Sequence, residues 1–203
     1  MRLAGKGAVV ALALSLGFGP VGVKAQVASP VPDNELAAVF AAFCLDAFPV
    51  AADLDRAAAG RKATVMSADE VKSLLHDDPG RGWTLRTAEA RYSITIEFPP
   101  FNACAVRRMT PVGTAGVTNY LSAVNKYVAA KNGKLVTLPT QKKVVNGADV
   151  TLYGQSMVNA GGEMRETFAV VWSNYHGRPP PASRADAGTG VGVEVRFVHQ
   201  FVK

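Results

Sequence analysis

Cysteine and histidine are scarce in this chain, and this scarcity limits the chemistry that it can carry. The 203 residues include two cysteines and three histidines. A structural zinc site needs about four such ligands held close together. Two distant cysteines and three scattered histidines do not readily supply that set, so we expect no metal site and no cofactor.

Long apolar runs are also scarce, and the only one lies at residues 8–18. It is too short to cross a bilayer as a stable anchor. Arg2 and Lys6 precede it and Gly19-Pro20 follows it, an order typical of a secretory signal peptide. No second run resembles a stop-transfer segment, so we expect no stable membrane anchor after cleavage.

The cleavage site of this signal peptide is expected just before Gln26, because Val23 and Ala25 supply the small residues that such a site requires. We therefore expect residues 1–25 to be removed and residues 26–203 to form one exported domain of a bacterial type, periplasmic or secreted. An uncleaved N-terminal helix is the alternative.

Excess charge of one sign is small once the signal peptide is set aside. The whole chain has a formal charge of +6, and three of its 22 basic residues lie within residues 1–25. The remainder has 19 basic and 16 acidic residues, a net charge of +3. The pairs Arg107-Arg108 and Lys142-Lys143 are short and lack interleaved aromatic residues, so we expect no nucleic-acid partner.

The two cysteines, Cys44 and Cys104, both lie in the mature part of the chain. An even number of cysteines in an exported protein indicates a disulfide, because that compartment is oxidising. Two buried free thiols are the alternative. A bond would close a loop of about 60 residues and contribute about 4 kcal/mol to stability.

Helical periodicity dominates the first part of the mature domain. Residues 34–47 have an apolar face that includes Cys44, and a second short helix is expected at residues 51–59, ended by Gly60. Ser67 and Glu70 form a capping-box pattern that predicts a third helix.

Strand periodicity begins near Trp83, and residues 91–98 alternate between apolar and polar side chains. Further strands are expected at residues 103–108, 134–138, 149–158, 163–173 and 191–202, with a central helix at residues 114–131. The order predicts an α+β fold in which N-terminal helices and one central helix pack on an antiparallel β-sheet.

Two short motifs resemble catalytic or nucleotide-binding signatures without completing them. Residues 154–158 (GQSMV) have Ser156 in the position of a nucleophile elbow, but Val158 occupies the place of the required second glycine. The glycines of residues 188–192 precede a strand, whereas a phosphate-binding loop precedes a helix. His76 stands beside two aspartates in a turn that is expected to end the third helix. We assign no catalytic residue.

The segment at residues 172–176 is the most site-like stretch of the chain. Trp172, Tyr175 and His176 combine two aromatic rings with a titratable imidazole at the end of a strand, where loops often carry binding residues. We take these three as candidate binding residues. The alternative is a core tryptophan followed by a surface loop.

Two short segments around the cysteines resemble those of a protein family. Residues 42–49 (AFCLDAFP) and 102–106 (NACAV) resemble small exported proteobacterial proteins with two cysteines, a family without a known activity. The resemblance implies a secreted domain with a cysteine pair, and it implies no substrate and no catalytic residues.

These observations favour a non-enzymatic periplasmic binding or accessory module over an enzyme. Its partner would be an envelope component, a small molecule or another protein. The alternative is an envelope hydrolase whose site is assembled from scattered residues, for which Ser156 and His176 are the polar candidates.

Overall fold

The computed structural model of the protein describes residues 30–176 and 192–202. The signal peptide, its cleavage site and most of the glycine-rich stretch at residues 188–192 lie outside these residues. Within them, no helix combines the length and the apolar character that a membrane span requires.

In the described part of the chain, four α-helices precede or interrupt the strands, and the first continues into one turn of π-helix. Their bounds are α1 Asn34–Phe40, with the π-helical turn Ala41–Leu45, α2 Ala51–Gly60, α3 Ala68–Leu75 and α4 Thr118–Ala130.

Nine strands of residues 30–176 and 192–202 form a single antiparallel sheet in the order β1-β2-β3-β4-β9-β8-β7-β5, and β6 pairs with β7 beside β5. Their bounds are β1 Thr64–Val65, β2 Gly80–Arg86, β3 Arg91–Glu97, β4 Ala103–Thr110, β5 Lys134–Thr137, β6 Gln141–Val145, β7 Ala148–Val158, β8 Met164–Asn174 and β9 Val193–Phe201. The α+β fold expected from the sequence is confirmed.

One side of the sheet, here called the helix face, is covered by α1, the π-helical turn and α4. Aromatic side chains dominate the contact: Phe40 lies 5.9 Å from Phe197 between ring centroids, and Phe43 lies 6.1 Å from Trp83. All four are at most 1% exposed. Burial of such large apolar side chains supplies most of the driving force for folding.

The opposite side, here called the second face, is covered in part by α3. A Cβ at Gly82 would lie 2.7 Å from the sulfur of Met66, so glycine allows the chain before α3 to approach β2 closely. The predicted capping box of α3 is present, because the Glu70 amide donates to Ser67 Oγ at 3.3 Å and the Ser67 amide donates to the Glu70 carboxylate at 2.8 Å. Glu70 also lies 3.7 Å from Arg91 of β3, which fixes α3 over the sheet.

A disulfide joins Cys44 to Cys104, as the cysteine count predicts, with a Cα–Cα distance of 5.4 Å. Cys44 lies in the π-helical turn and Cys104 on β4, and both are fully buried. The bond therefore connects the first helical segment to the middle of the sheet.

Asp33 precedes α1 but caps α4. Its carboxylate accepts hydrogen bonds from the Tyr120 amide at 3.0 Å and from Asn119 Nδ2 at 2.7 Å. Tyr120 is the third residue of α4, whose first amides lack partners within the helix. Asp33 thus holds together the starts of two helices that are more than 80 residues apart in sequence.

Candidate ligand-binding site

The three candidate binding residues of the 172–176 segment do not form one cluster. Trp172 lies on the same side of β8 as Phe168, and its indole nitrogen donates to Thr114 Oγ1 at 3.4 Å. Tyr175 is buried and lines a cavity on the second face. His176 lies at the surface, where its Nε2 contacts the Asp149 carboxylate at 2.7 Å.

Ser156 is a buried residue of β7, and its hydroxyl donates to the main-chain carbonyl of Glu166 at 3.2 Å. The GQSMV segment is therefore part of a strand, in agreement with the sequence interpretation. Asp149, the partner of His176, lies seven residues away on the same strand. At about 3.4 Å per residue, Ser156 and Asp149 are about 24 Å apart along β7. Ser156 and His176 therefore do not share a site.

The cavity that includes Tyr175 has a volume of about 240 Å³ and lies between the sheet and the end of α3. Ala148, Val150 and Ser173 form its floor. Its lining residues are Ser73, His76, Lys143, Val145, Asn146, Ala148, Val150, Ser173, Tyr175 and Arg196.

The floor follows from strand register. Lys143 pairs with Val150, and Val150 pairs with Ser173, so these three side chains point to the second face in one row across β6, β7 and β8. Arg196 pairs with Val171, two residues from Ser173 on β8, and therefore points to the same face from β9. Side chains two residues apart on a strand share a face.

A tight hairpin positions the β6 wall of the cavity. Val145 pairs directly with Ala148, so the connection consists of Asn146 and Gly147 alone. Both have positive φ values, 51° and 77°, which is the conformation that an Asn-Gly hairpin turn favours. The register that this turn sets directs Lys143 and Val145 toward the cavity.

The roof of the cavity is the last turn of α3, which contributes Ser73 and His76. His76 ends the helix with a φ of 62°, and it is exposed. Its neighbour Asp77 is turned toward Lys72 at 3.5 Å. In residues 30–176 and 192–202, no three histidine, cysteine, aspartate or glutamate side chains are grouped closely enough to hold a metal ion.

The lining of the cavity combines basic groups with hydroxyls and small apolar side chains. Lys143 and Arg196 supply positive charge, and the hydroxyls come from Ser73, Ser173 and Tyr175. No aspartate or glutamate belongs to the lining described here. An apolar floor with a few convergent polar groups is typical of small-molecule sites.

A second polar group, the His199 cluster, lies on the helix face and consists of the buried residues His199 and Glu166 with Tyr127 and the more exposed Lys131. His199 Nε2 lies 2.6 Å from the Glu166 carboxylate, which also accepts from Tyr127 at 2.8 Å and from Lys131 at 2.9 Å. His199 Nδ1 lies 2.6 Å from the carbonyl oxygen of Cys44.

The protonation state of this cluster follows from its hydrogen bonds. A carbonyl oxygen only accepts, so His199 Nδ1 carries a hydrogen. Burial raises the pKa of Glu166, but hydrogen bonds from His199, Lys131 and Tyr127 outweigh burial and lower it to about 2. The carboxylate of Glu166 is therefore ionised, and three side chains that lie within hydrogen-bond distance surround it.

The His199 cluster holds the fold together at the junction of α4, β8, β9 and the π-helical turn. His199 stacks on Phe168 with a centroid distance of 4.8 Å and is fully buried. Burial and the bond to Glu166 raise the pKa of Tyr127, which makes its hydroxyl a poor proton donor for chemistry. None of the four residues lines the cavity on the second face.

Sequence reasoning identified one cavity residue, Tyr175, and missed Lys143 and Arg196 as members of the same site. Lys143 gave no local signal, because all five residues of β6 are exposed and no apolar alternation marks the strand. Arg196 gave no such signal, because its neighbours in the cavity come from other strands.

The chain matches no protein-family model, no curated protein and no solved structure.

Proposed function

We propose that the chain is exported and that its mature domain is a non-enzymatic module that binds a small molecule in the cavity between α3 and the β6–β7 hairpin. The observation that carries this proposal is the cavity itself, because apolar floor residues, hydroxyls and two basic side chains converge there. A ligand there would contact three separate parts of the chain.

The Cys44–Cys104 disulfide supports the export part of the proposal, since disulfides persist in oxidising compartments. Intact-mass measurement of protein recovered from the cell envelope tests it. We expect a mature chain that begins at Gln26. A chain that still contains residues 1–25 would contradict export by cleavage.

The geometry favours binding over the envelope-hydrolase alternative. A serine nucleophile needs a base within hydrogen-bond reach. The Ser156 hydroxyl instead donates to a main-chain carbonyl, and His176 is engaged with Asp149. The candidate residues of the hydrolase are therefore occupied in structural contacts at two ends of β7.

A matched pair of variants tests the binding proposal. Val145 lines the cavity, whereas Val144 is its neighbour on β6, points away from the cavity and is 71% exposed. Wild-type protein is screened by thermal shift against organic acids, sugars, amino acids and polyamines. We expect at least one compound to raise the melting temperature of wild type and of Val144→Trp. The same compound should not raise that of Val145→Trp, because the indole side chain of this variant fills the cavity.

Two outcomes would contradict the proposal. One is a compound that stabilises all three proteins equally, because its site would then lie elsewhere. The other is turnover of ester, amide or glycan substrates by the purified domain, lost in Ser156→Ala or His176→Ala with an unchanged melting curve.

A further inference from the structure

We propose that the ligand of this cavity is a small organic anion whose carboxylate lies between Lys143 and Arg196. This inference rests on the proposed function, since it names the chemical class of the molecule that the cavity would bind. It follows from the positions of the two basic side chains, from the composition of the lining and from the volume.

Lys143 and Arg196 stand on opposite walls of the cavity. They belong to β6 and β9, which are separated in the sheet by β7 and β8. Three strand spacings of about 4.8 Å give about 14 Å across the sheet, and Arg196 lies two residues, about 7 Å, further along β9 than the row of Lys143, so the two Cα atoms are about 16 Å apart. Lysine and arginine side chains each extend several ångströms, so an anionic group between them can contact both.

The net charge of the lining favours an anion over a neutral or cationic ligand. Among the residues that the structure describes, the lining contains Lys143 and Arg196 and no carboxylate. Two acidic residues lie near Arg196: Glu194, which pairs with Ser173 across β8 and β9, and Glu97, whose carboxylate interacts electrostatically with Arg196. Glu194 is only 3% exposed and does not line the cavity, so it offsets part of the positive potential without occupying the space of the ligand.

The floor requires that the anion also has an apolar part. Val150 and Ala148 lie between the two basic walls and offer no hydrogen bond from their side chains. Inorganic ions would leave this surface in contact with water, whereas methylene groups would cover it. An organic acid with a short carbon chain fits both features.

The volume limits the size of the acid. A cavity of about 240 Å³ has room for about eight water molecules at about 30 Å³ each. This corresponds to an organic molecule with about eight to ten non-hydrogen atoms. Glutarate, with nine non-hydrogen atoms and two carboxylates, is a suitable probe, and glutaramide is its neutral analogue of equal size.

Titration calorimetry of glutarate, glutaramide and inorganic phosphate tests this inference on the mature protein. Lys142 is the matched control for Lys143, because it is the adjacent lysine on the same strand and does not line the cavity. We expect glutarate to bind more tightly than either other probe. Lys143→Met should weaken glutarate about threefold to fivefold, as for a largely exposed ion pair, and Lys142→Met should leave it unchanged.

Arg196→Met should weaken glutarate binding by about tenfold or more. Arg196 is less exposed than Lys143, and a hydrogen bond to a less exposed charged group contributes more to binding. Its fold is checked by circular dichroism. Should it not fold, the comparison of Lys143→Met with Lys142→Met decides alone, since both side chains are exposed. Binding should also weaken as the salt concentration rises.

Several outcomes would overturn the inference. They are equal binding of glutaramide and glutarate, tighter binding of inorganic phosphate, equal losses in Lys143→Met and Lys142→Met, or no saturable glutarate binding at millimolar concentration. If a neutral compound instead stabilises wild type but not Val145→Trp, the cavity is a binding site and only its anionic specificity is wrong. If Val145→Trp binds glutarate like wild type, the site itself is wrong.

Discussion

Replacing Glu166 by glutamine should destabilise the protein, because this carboxylate is ionised at a buried position beside His199. Its side chain is 5% exposed and accepts hydrogen bonds from His199, Tyr127 and Lys131. Glutamine keeps the shape of the side chain and removes its charge. The experiment therefore isolates the electrostatic contribution of the cluster.

The magnitude follows from the pKa of Glu166, which the cluster lowers from 4.5 to about 2. A tenfold change in acid dissociation corresponds to about 1.4 kcal/mol, so the ionised form is stabilised in the fold by about 3 kcal/mol. Breaking one side of a buried ion pair typically costs about 3 to 5 kcal/mol. We expect Glu166→Gln to lower the free energy of unfolding by about 3 kcal/mol at neutral pH.

The same carboxylate predicts a pH dependence with a definite sign. Because the pKa of Glu166 is lower in the folded protein, its contribution is complete above pH 4.5 and is lost as the pH falls toward 2. Chemical denaturation of wild type and Glu166→Gln from pH 7 to pH 2 measures this. The difference in stability should shrink across that acidic range.

Glu163→Gln is the matched control, since Glu163 precedes the same strand and is 65% exposed. It should change stability by less than about 1 kcal/mol. Equal stabilities of the Glu163→Gln and Glu166→Gln proteins would refute the buried-pair argument. So would a difference between wild type and Glu166→Gln that stays constant down to pH 2.

Two further predictions concern the connections between the first helical segment and the rest of the fold. Reducing the Cys44–Cys104 bond frees a 60-residue loop and should lower the free energy of unfolding by about 4 kcal/mol, which corresponds to about 8 to 16 °C in melting temperature. An unchanged melting temperature with both thiols reactive would contradict this. Asp33→Ala removes the cap of α4 at Tyr120, and denaturant titration should show a loss of about 1 to 2 kcal/mol in the free energy of unfolding. Asp46→Ala, at an exposed position, is the control and should change stability little. Equal effects of the two substitutions would show that the cap contributes nothing.

Local patterns in the sequence were sufficient to predict most elements of the fold. The capping box at Ser67 places the start of α3, and the alternation of residues 91–98 predicts β3. The helical spacing of residues 34–47 also places Cys44 on a buried face, where it is bonded to Cys104. Each of these signals lies within a few neighbouring residues.

Two strands escaped sequence analysis for a physical reason. All five residues of β6 are exposed, so no apolar alternation marks the strand, and β1 has only two residues. The helix predicted at residues 114–131 begins later, at Thr118. Its expected first residue, Thr114, instead accepts a hydrogen bond from Trp172 outside the helix.

The candidate site could not be derived from the sequence, because its residues meet only through the sheet. Lys143 and Arg196 are brought together by the pairing of four strands, and His76 reaches them through the packing of α3. The His199 cluster has the same property. His199 lies in an apolar strand pattern, and its partner Glu166 is 33 residues away.

Hydrogen exchange with and without ligand tests the central claim, that the cavity under α3 is a binding site, most directly. The compound that gives the largest shift in the thermal screen is added at saturation, and amide protection is mapped by mass spectrometry. We expect new protection in residues 70–78, 141–150 and 171–176, which contain the roof, the hairpin and the floor of the cavity. Protection confined to other parts of the chain, such as α2 and β1, would contradict the account.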